Sequence, residues 1–243
     1  MAKQSGLGDR LFVDGIDLSG SIGSIQRIAG GPAAMDVTDI TQSAYGRIGG
    51  QRDGGIDFTA WFDKAAAASH PTLAPLTVND RIVTYFRSLG IGLPAASCVA
   101  KQVNYDGTRA QDGTYSHVVS AVSNGYGVEW GIQATPGKRT DAAATNGAGI
   151  DYGAVSTLFG LQAYLQVFAF TGTSVTVKLQ DSADNATFAD IAGATFVAAT
   201  AAGAQRIAVT GTVRRYVRVA TTGVFSNAVF AVQFVRNETA VVF

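Results

Sequence analysis

Two histidines, one cysteine and a short acidic run are the residues whose chemistry could support catalysis or ligand binding. A hydrolytic triad needs a base that an acid orients and that contacts a nucleophile. His70 lies in AAASHPTLAP, which reads as a solvent-facing loop, and His117 lies in a predicted strand beside Ser116. Cys98 stands among small apolar residues, which favours a buried, inert thiol. We therefore predict no catalytic residue, and we do not expect an enzyme.

The acidic run QDSADNATFAD offers oxygen atoms that could bind calcium, from Asp181, Asp184, Asn185 and Asp190. Its spacing does not match the calcium loop that two helices flank, and aspartate and asparagine favour turns in any case. The glycines of NGYGVEWG faintly resemble a phosphate-binding loop, but no helix is predicted after them. We predict neither a metal nor a cofactor.

The composition excludes several classes of protein. The chain has 243 residues, a formal net charge of zero, 15% charged residues and 29 glycines. Low charge and abundant glycine disfavour both a disordered chain and a DNA-binding domain, which would show a basic excess. Neither a long apolar run nor a charged and apolar leader is present, so we expect no membrane span and no signal peptide. A lone cysteine fits synthesis in a reducing cytoplasm.

Period-two patterns dominate the chain and predict strands. The most regular is IDFTAWFD, where apolar residues alternate with a polar face that carries Asp57 and Thr59. The glycine-rich residues 46–55 precede it and are predicted to form a mobile loop. Asp14-Gly15 and Asn124-Gly125 predict two hairpins.

One segment has the period of a helix. In TVNDRIVTYFRSLG, Asn79 is a suitable N-cap and Gly90 a suitable residue after the last turn. Ile82, Tyr85, Phe86 and Leu89 would form one apolar stripe along the helix. We predict an amphipathic helix over residues 80–89 that packs on a sheet.

The periodicity stops in a stretch rich in glycine, alanine, asparagine and threonine, and this predicts a linker at residues 138–150. The predicted fold is therefore mainly β, with two domains. Residues 1–137 would form a β-sandwich or barrel with one α-helix. Residues 151–243, with patterns such as SVTVKLQDS and NAVFAVQFVRN, would form an all-β sandwich of the jelly-roll or immunoglobulin-like type.

Three stretches resemble the major tail (tail tube) proteins of long-tailed bacteriophages, particularly those that infect actinobacteria. They are LFVDGIDLSGSIGSI, MDVTDITQSAYGRIGGQRDGGIDFTAWFD and VNDRIVTYFRSL, and the likeness covers residues 7–137. The start at Asp36-Val37-Thr38 and the turn at Arg52-Asp53-Gly54 carry most of it. VKLQDSADNATFADI and RRYVRVATT resemble the β-sandwich that some of these proteins carry outside the tube, and similar sandwiches occur in carbohydrate-binding modules.

The resemblance implies a virion protein whose hexameric rings stack into a hollow tube through which genome DNA passes. Its implied partners are other copies of itself, the tail tip and tail terminator proteins and the tape measure protein. Within this framework we predict inter-subunit contacts at Arg47, Arg52 and Asp53. We also predict that Asp57 and Thr59 face the lumen, because a conduit for DNA should not bind phosphates tightly.

Two other functions remain open at this point. A glycan-binding β-sandwich module would rest on the C-terminal part and would expose aromatic residues on one sandwich face. A capsid decoration protein would also be rich in strands, assembled and free of catalysis.

Overall fold

The computed structural model describes residues 5–153 and 155–241, and its secondary structure confirms the mainly-β prediction. Every pair of named strands in these residues is antiparallel. A single turn of 3-10 helix spans Ser19–Ser21, and one short α-helix, α1, spans Ser69–Leu73. The strands are β1 (Arg10–Val13), β2 (Ile16–Asp17), β3 (Ile22–Asp36), β4 (Arg47–Trp61), β5 (Arg81–Phe86), β6 (Pro94–Gln102), β7 (Asp106–Arg109), β8 (Tyr115–Ser123), β9 (Glu129–Gln133), β10 (Arg139–Asp141), β11 (Ile150–Asp151), β12 (Leu161–Ser182), β13 (Ala189–Thr195), β14 (Gly203–Val209) and β15 (Tyr216–Arg236).

The first half of the chain builds a sheet in the order β3-β4-β8-β6-β5-β1-β2. β7 pairs with residues 115–118 of β8, which β6 does not reach. The alternation predicted for β4 is confirmed, since Ile56, Phe58 and Ala60 are buried. Asp57 and Thr59 lie between them and are half-buried on the opposite face. Burial of these alternate side chains, with others from β1, β5, β6 and β8, forms the first hydrophobic core.

The helix predicted over residues 80–89 is wrong, because residues 81–86 form strand β5. β5 lies in the middle of the sheet between β1 and β6, and nearly all its side chains are buried on both faces. A strand that is apolar on both faces also has apolar residues at positions i, i+3 and i+4. Its sequence pattern therefore cannot be told from the apolar stripe of a helix. The α-helix of the structure is α1, in the segment read from sequence as the loop around His70.

The second half is organised by the long ribbon of β12 and β15. These strands pair from Leu161 opposite Arg236 to Ser182 opposite Tyr216, with irregularities near Gly172. β14 and β13 pair with successive parts of the outer edge of β12. The predicted apolar alternation is confirmed on both ribbon strands, and its buried residues form a second core: Val175, Val177, Leu179, Phe230, Val232 and Phe234.

The segment predicted as a linker, 138–150, is more ordered than its composition suggested. It carries β10 and the start of β11, and both pair with β15. Asp141 is buried, receives two hydrogen bonds from Arg139 at 2.8 Å each, and accepts a third from Thr221. These contacts tie the segment to β15, although the two-domain division itself stays a prediction.

The two halves also share contacts directly. β9 pairs with β6 of the first half and with β15 of the second. A small third core contains Phe12, Phe86, Ala95 and Ala231, and so draws on both. Gln166 of β12 is buried, and it accepts a hydrogen bond from the Gly15 amide and donates to Thr84 Oγ1.

The hairpin predicted at Asn124-Gly125 is wrong. Gly125 has a positive φ of 75°, as a turn requires, but β8 and β9 do not pair with each other. Both pair instead with β6, β8 with its residues 100–102 and β9 with its residues 94–97. The turn therefore connects two strands that lie one after the other along the same edge of β6 and do not pair with each other.

The hairpin predicted at Asp14-Gly15 is confirmed, because β1 and β2 pair on either side of it. Both turn residues have positive φ, 50° at Asp14 and 78° at Gly15, as two-residue hairpin turns prefer. A Cβ atom on Gly15 would lie 2.6 Å from the backbone nitrogen of Gly203. The turn therefore packs closely against main-chain atoms of the second half of the chain.

We expect Gly15→Ala to lower the free energy of unfolding by about 2–4 kcal/mol, because it adds backbone strain and a clash with main-chain atoms. Gly113→Ala is the matched control, since Gly113 also has positive φ (93°) but no heavy atom within 4 Å of an added Cβ. The control should cost about 1 kcal/mol. Denaturant unfolding of both variants measures the difference, and equal losses would contradict the close approach at Gly15.

Candidate functional site

A two-stranded arm projects from the sheet of the first half. Residues 55–61 of β4 pair with β8, whereas residues 47–54, in the described structure, pair only with β3. The segment 30–54 therefore forms a ribbon of two strands joined by the loop 37–46, and we call it the arm. The glycine-rich residues 46–55, predicted to be a mobile loop, are instead mostly one strand of this arm. Glycines fit here because a ribbon without side-chain bulk lets the two strands approach closely.

The arm exposes apolar side chains although it has little core of its own. Met35 and Ile48 lie opposite each other across the ribbon and are 51% and 52% exposed. Val37, Ile40 and Tyr45 in the loop are exposed as well. Large apolar groups clustered on a protruding element favour contact with another surface.

The loop of the arm is ordered by its own hydrogen bonds. Asp36 accepts from the Thr38 amide at 2.9 Å, and Asp39 accepts from the Thr41 amide at 2.8 Å. The hydroxyl groups of the same threonines also donate to these carboxylates, and these bonds lower the pKa of Asp36 and of Asp39. Both carboxylates are therefore ionised at neutral pH.

The three predicted contact residues all lie on the arm, at different distances from its tip. The guanidinium of Arg47 stacks over the ring of Tyr45 near the tip, 4.9 Å from the ring centroid. Arg52 lies near the base, 4.0 Å from Glu129, and Asp53 accepts a hydrogen bond from the Gly54 amide. All three side chains are exposed. Their role in contacts between subunits stays a prediction.

Asp57 and Thr59 share the polar face of β4, as predicted, and each has a partner on β3. Arg27 Nη1 lies 3.3 Å from Asp57 Oδ2, and Gln26 Nε2 donates to Thr59 Oγ1 at 2.8 Å. The sequence analysis did not identify these β3 partners. The face is polar without being strongly charged, and whether it lines a lumen stays a prediction.

A buried charge network lies at the base of the arm, and the sequence analysis missed it. The Glu129 carboxylate receives two hydrogen bonds from Arg206, at 2.9 and 3.1 Å, and one from Tyr164 Oη. The side chains of Glu129 and Arg206 are only 3% and 8% exposed. Burial alone would lower the pKa of Arg206, but the bonds to Glu129 raise it above its ordinary value. Arg52 thus places the arm beside a carboxylate that the second half of the chain already binds.

The outer edge of β3 is free among the described residues and borders an open groove of about 690 Å³. Three half-buried isoleucines of β3 line it, together with Leu7, Leu11 and Tyr85. Tyr85 Oη donates to Asp9 Oδ2 at 2.5 Å, and Arg87 pairs with the other oxygen of Asp9 at 2.5 Å. A free strand edge beside an open groove can accept another extended segment. The groove-lining isoleucines are Ile22, Ile25 and Ile28.

The residues first considered for catalysis do not assemble into a site. His117 is buried in β8 and His70, read as solvent-facing, is half-buried in α1; each ring contacts aromatic rings rather than a nucleophile. Cys98 is fully buried, and this burial raises the pKa of its thiol to about 12.

The acidic run at residues 181–190 is divided among separate structural roles. Hydrogen bonds from Ser182 and from the Thr187 and Ala186 amides lower the pKa of Asp184 to about 2. Asp190 pairs with Lys178 at 2.8 Å, and Asp181 accepts from the Arg214 amide. Across residues 5–153 and 155–241, no group of three or more histidine, cysteine or acidic side chains is placed to hold a metal ion. The same ranges contain no helix of the length and hydropathy that crossing a membrane requires.

No protein-family model matches this chain, and a search of curated proteins found no match. Two solved structures are similar over most of their length but at low scores. The Dit protein (gp 19.1) of phage SPP1, described as a paradigm of the hub adsorption apparatus in phages that infect Gram-positive hosts, has 9% identity and a TM-score of 0.36, and the match covers 94% of this chain and 99% of that one. The baseplate of phage p2 in its activated, Sr-containing conformation has 10% identity and a TM-score of 0.32, with 95% and 99% covered. At these scores neither similarity carries a conclusion about function.

Proposed function

We propose that this chain is a structural protein of a phage tail that assembles with copies of itself through the arm. The observation that carries the proposal is a protruding two-stranded ribbon with an exposed apolar pair, Met35 and Ile48. The sequence resemblance to tail tube proteins, which spans residues 7–137, supports the same class.

The arm needs a partner for a physical reason. A two-stranded hairpin is at best marginally stable alone in water, because it buries too little apolar surface to offset the entropy of ordering its backbone. Its glycines increase that entropic cost. Contact of the apolar side chains with a second copy removes them from water and stabilises the ribbon at the same time.

The free edge of β3 provides a second assembly surface on the same molecule. The arm (residues 30–54) and the groove-lining part of β3 (residues 22–28) are different surfaces, so a contact between them is head-to-tail. Head-to-tail contacts generate rings where the rotation closes, and helical filaments where it does not. A ring is one of these two outcomes, and stacked rings would form the tail tube.

In its specific form, the proposal is a hexameric ring of a tail tube that conducts genome DNA at ejection. Asp57 and Thr59 would face the lumen, and Arg47, Arg52 and Asp53 would contact neighbouring subunits. Residues 151–243 would lie outside the tube, and the partners at its ends and inside it would be the tail tip, terminator and tape measure proteins. The protein would reside in the virion after synthesis in the host cytoplasm.

Sedimentation velocity of the purified full chain at rising concentration, followed by electron microscopy, tests this function. We expect rings or tubes to grow from monomers as the concentration rises. A chain that stays monomeric and binds a glycan array would instead be a glycan-binding module. A monomer that binds only to assembled capsids would be a decoration protein, and either result would overturn the proposal.

A further inference from the structure

Five aromatic rings meet at the end of β4 that lies opposite the arm. They belong to Phe62, His70, Tyr105, Tyr115 and His117, and we call them the ring cluster. Tyr105 stacks face to face on His117, with ring centroids 3.9 Å apart and an interplanar angle of 6°. Phe62 lies 4.7 Å from His70 and 5.3 Å from Tyr115.

The ring cluster fastens the segment 62–70 to the neighbouring strands. His70 Nδ1 lies 3.2 Å from Tyr105 Oη, and the Phe62 amide donates to the Tyr115 carbonyl oxygen at 3.1 Å. Inside the segment, the His70 amide donates to the Asp63 carbonyl oxygen at 2.9 Å. The buried Ser69 hydroxyl also donates to the Trp61 carbonyl oxygen and accepts from the Asp63 amide. Loss of the ring contacts would therefore loosen this segment at one end of the sheet and leave the Ser69 contacts as its remaining attachment.

His117 is the buried centre of the cluster and is placed to remain neutral. It is 3% exposed, and its Nδ1 atom is buried without a hydrogen-bond partner. On the neighbouring strand β7, Gly107 pairs with His117. Protonation puts an N–H on both nitrogens, and at Nδ1 that donor would be buried without an acceptor.

Among the described residues, the charged side chains on the elements around the cluster do not pair with His117. The loop beside the cluster carries Asp63 and Lys64, and β7 carries Asp106 and Arg109. The carboxylate of Asp63 accepts from the Ala65 amide, and that of Asp106 accepts from Asn104. Within the described ranges, neither histidine forms an ion pair. A charge on His70 would repel one on His117.

We propose that the ring cluster is an acid-sensitive latch, in which neutral His117 holds the segment 62–70 in place and protonation of His117 releases it. The latch lies at the far end of β4 from the arm, so its opening changes a different surface from the one proposed for assembly. The inference is independent of the proposed function.

The direction of the pH dependence follows from the burial of His117. Burial, and then the charge of nearby His70, lower the pKa of His117 below its ordinary value of 6.5. The released state therefore binds more protons than the latched state as the pH falls. The stabilising contribution of the latch is complete above pH 6.5 and is lost as the pH falls through the lowered pKa.

Amide hydrogen exchange of the full chain at about pH 7.5 and about pH 5, corrected for intrinsic rates, tests the latch. We expect protection of the segment 62–70 to fall at least about tenfold at the lower pH, while the core of β12 and β15 keeps its protection. His117→Phe keeps a ring of similar size without a titrating group, and it should remove the pH dependence. His70→Gln should retain it, because His117 still titrates.

An equal loss of protection at low pH in His117→Phe would overturn the latch, and so would unchanged protection in the wild type. Nuclear magnetic resonance titration of wild-type His117 keeps the proposal testable even where the variant fails to fold. We expect His117 to titrate below 6.5, its ordinary value, together with shifts at Phe62. Titration at or above that value would refute the proposal.

Discussion

Replacing Glu129 with alanine should lower the free energy of unfolding by about 3–5 kcal/mol. The substitution removes the carboxylate that receives two hydrogen bonds from Arg206 and one from Tyr164. Arg206 would then be a nearly buried cation without an opposite charge, since its side chain is only 8% exposed. Denaturant unfolding measured at neutral pH gives the loss directly.

Arg52→Ala is the matched control for this prediction. Arg52 lies 4.0 Å from the same carboxylate but is 39% exposed, so solvent screens its interaction and the loss should stay below about 1 kcal/mol. Removing both charges with Glu129→Leu and Arg206→Met should cost less than Glu129→Ala alone, because no buried charge is left unpaired. Similar losses for Glu129→Ala and Arg52→Ala would mean that the network does not stabilise the fold.

Sequence patterns predict the features of the fold that depend only on neighbouring residues, such as the alternation of side chains and the φ angles of turns. The alternation around Asp57 and Thr59 gave the right faces for β4, because side chains alternate in any strand with one buried face. The Asp14-Gly15 turn was recognised because its positive φ angles restrict the residue types. The alternating strands of the second half were found for the same reason as β4.

The remaining features depend on contacts between residues that are far apart in the sequence. The pattern of β5 predicts a helix, because only its pairing with β1 and β6 shows that both its faces are buried. Glu129 and Arg206 are 77 residues apart in sequence, so no spacing rule joins them. The glycine pattern of residues 46–55 is compatible with a mobile loop or a strand, and only the pairing with β3 selects the strand. Likewise, nothing in the sequence placed His70 beside His117.

The double substitution Met35→Ser and Ile48→Ser should abolish assembly at concentrations at which the wild type assembles. These two side chains form the exposed apolar pair of the arm, and burial of each against a neighbour would contribute about 1 kcal/mol or more at each contact. Loss of about 2–3 kcal/mol weakens each contact roughly 30- to 150-fold. In a closed ring the effect multiplies over all contacts. Sedimentation velocity measures the assembled fraction.

The folded monomer should not be affected by this double substitution, because both side chains are already half exposed in it. Val197→Ser with Val224→Ser is the matched control, since these two valines are 77% and 72% exposed in the second half of the chain. The control should assemble like the wild type. Equal loss of assembly in both double variants would show that general surface hydrophobicity, rather than the arm, drives association.

Cross-linking from the tip of the arm tests the central claim most directly. Cys98 is fully buried with a raised thiol pKa, so the variant Ile40→Cys offers a single reactive thiol for a photoactivatable cross-linker. The experiment mixes isotopically light and heavy chains under assembling conditions, and mass spectrometry then identifies the linked peptides. We predict links between light and heavy chains from the arm to a second copy. Links only within one chain, or none in assembled particles, would contradict the proposal that the arm joins the subunits.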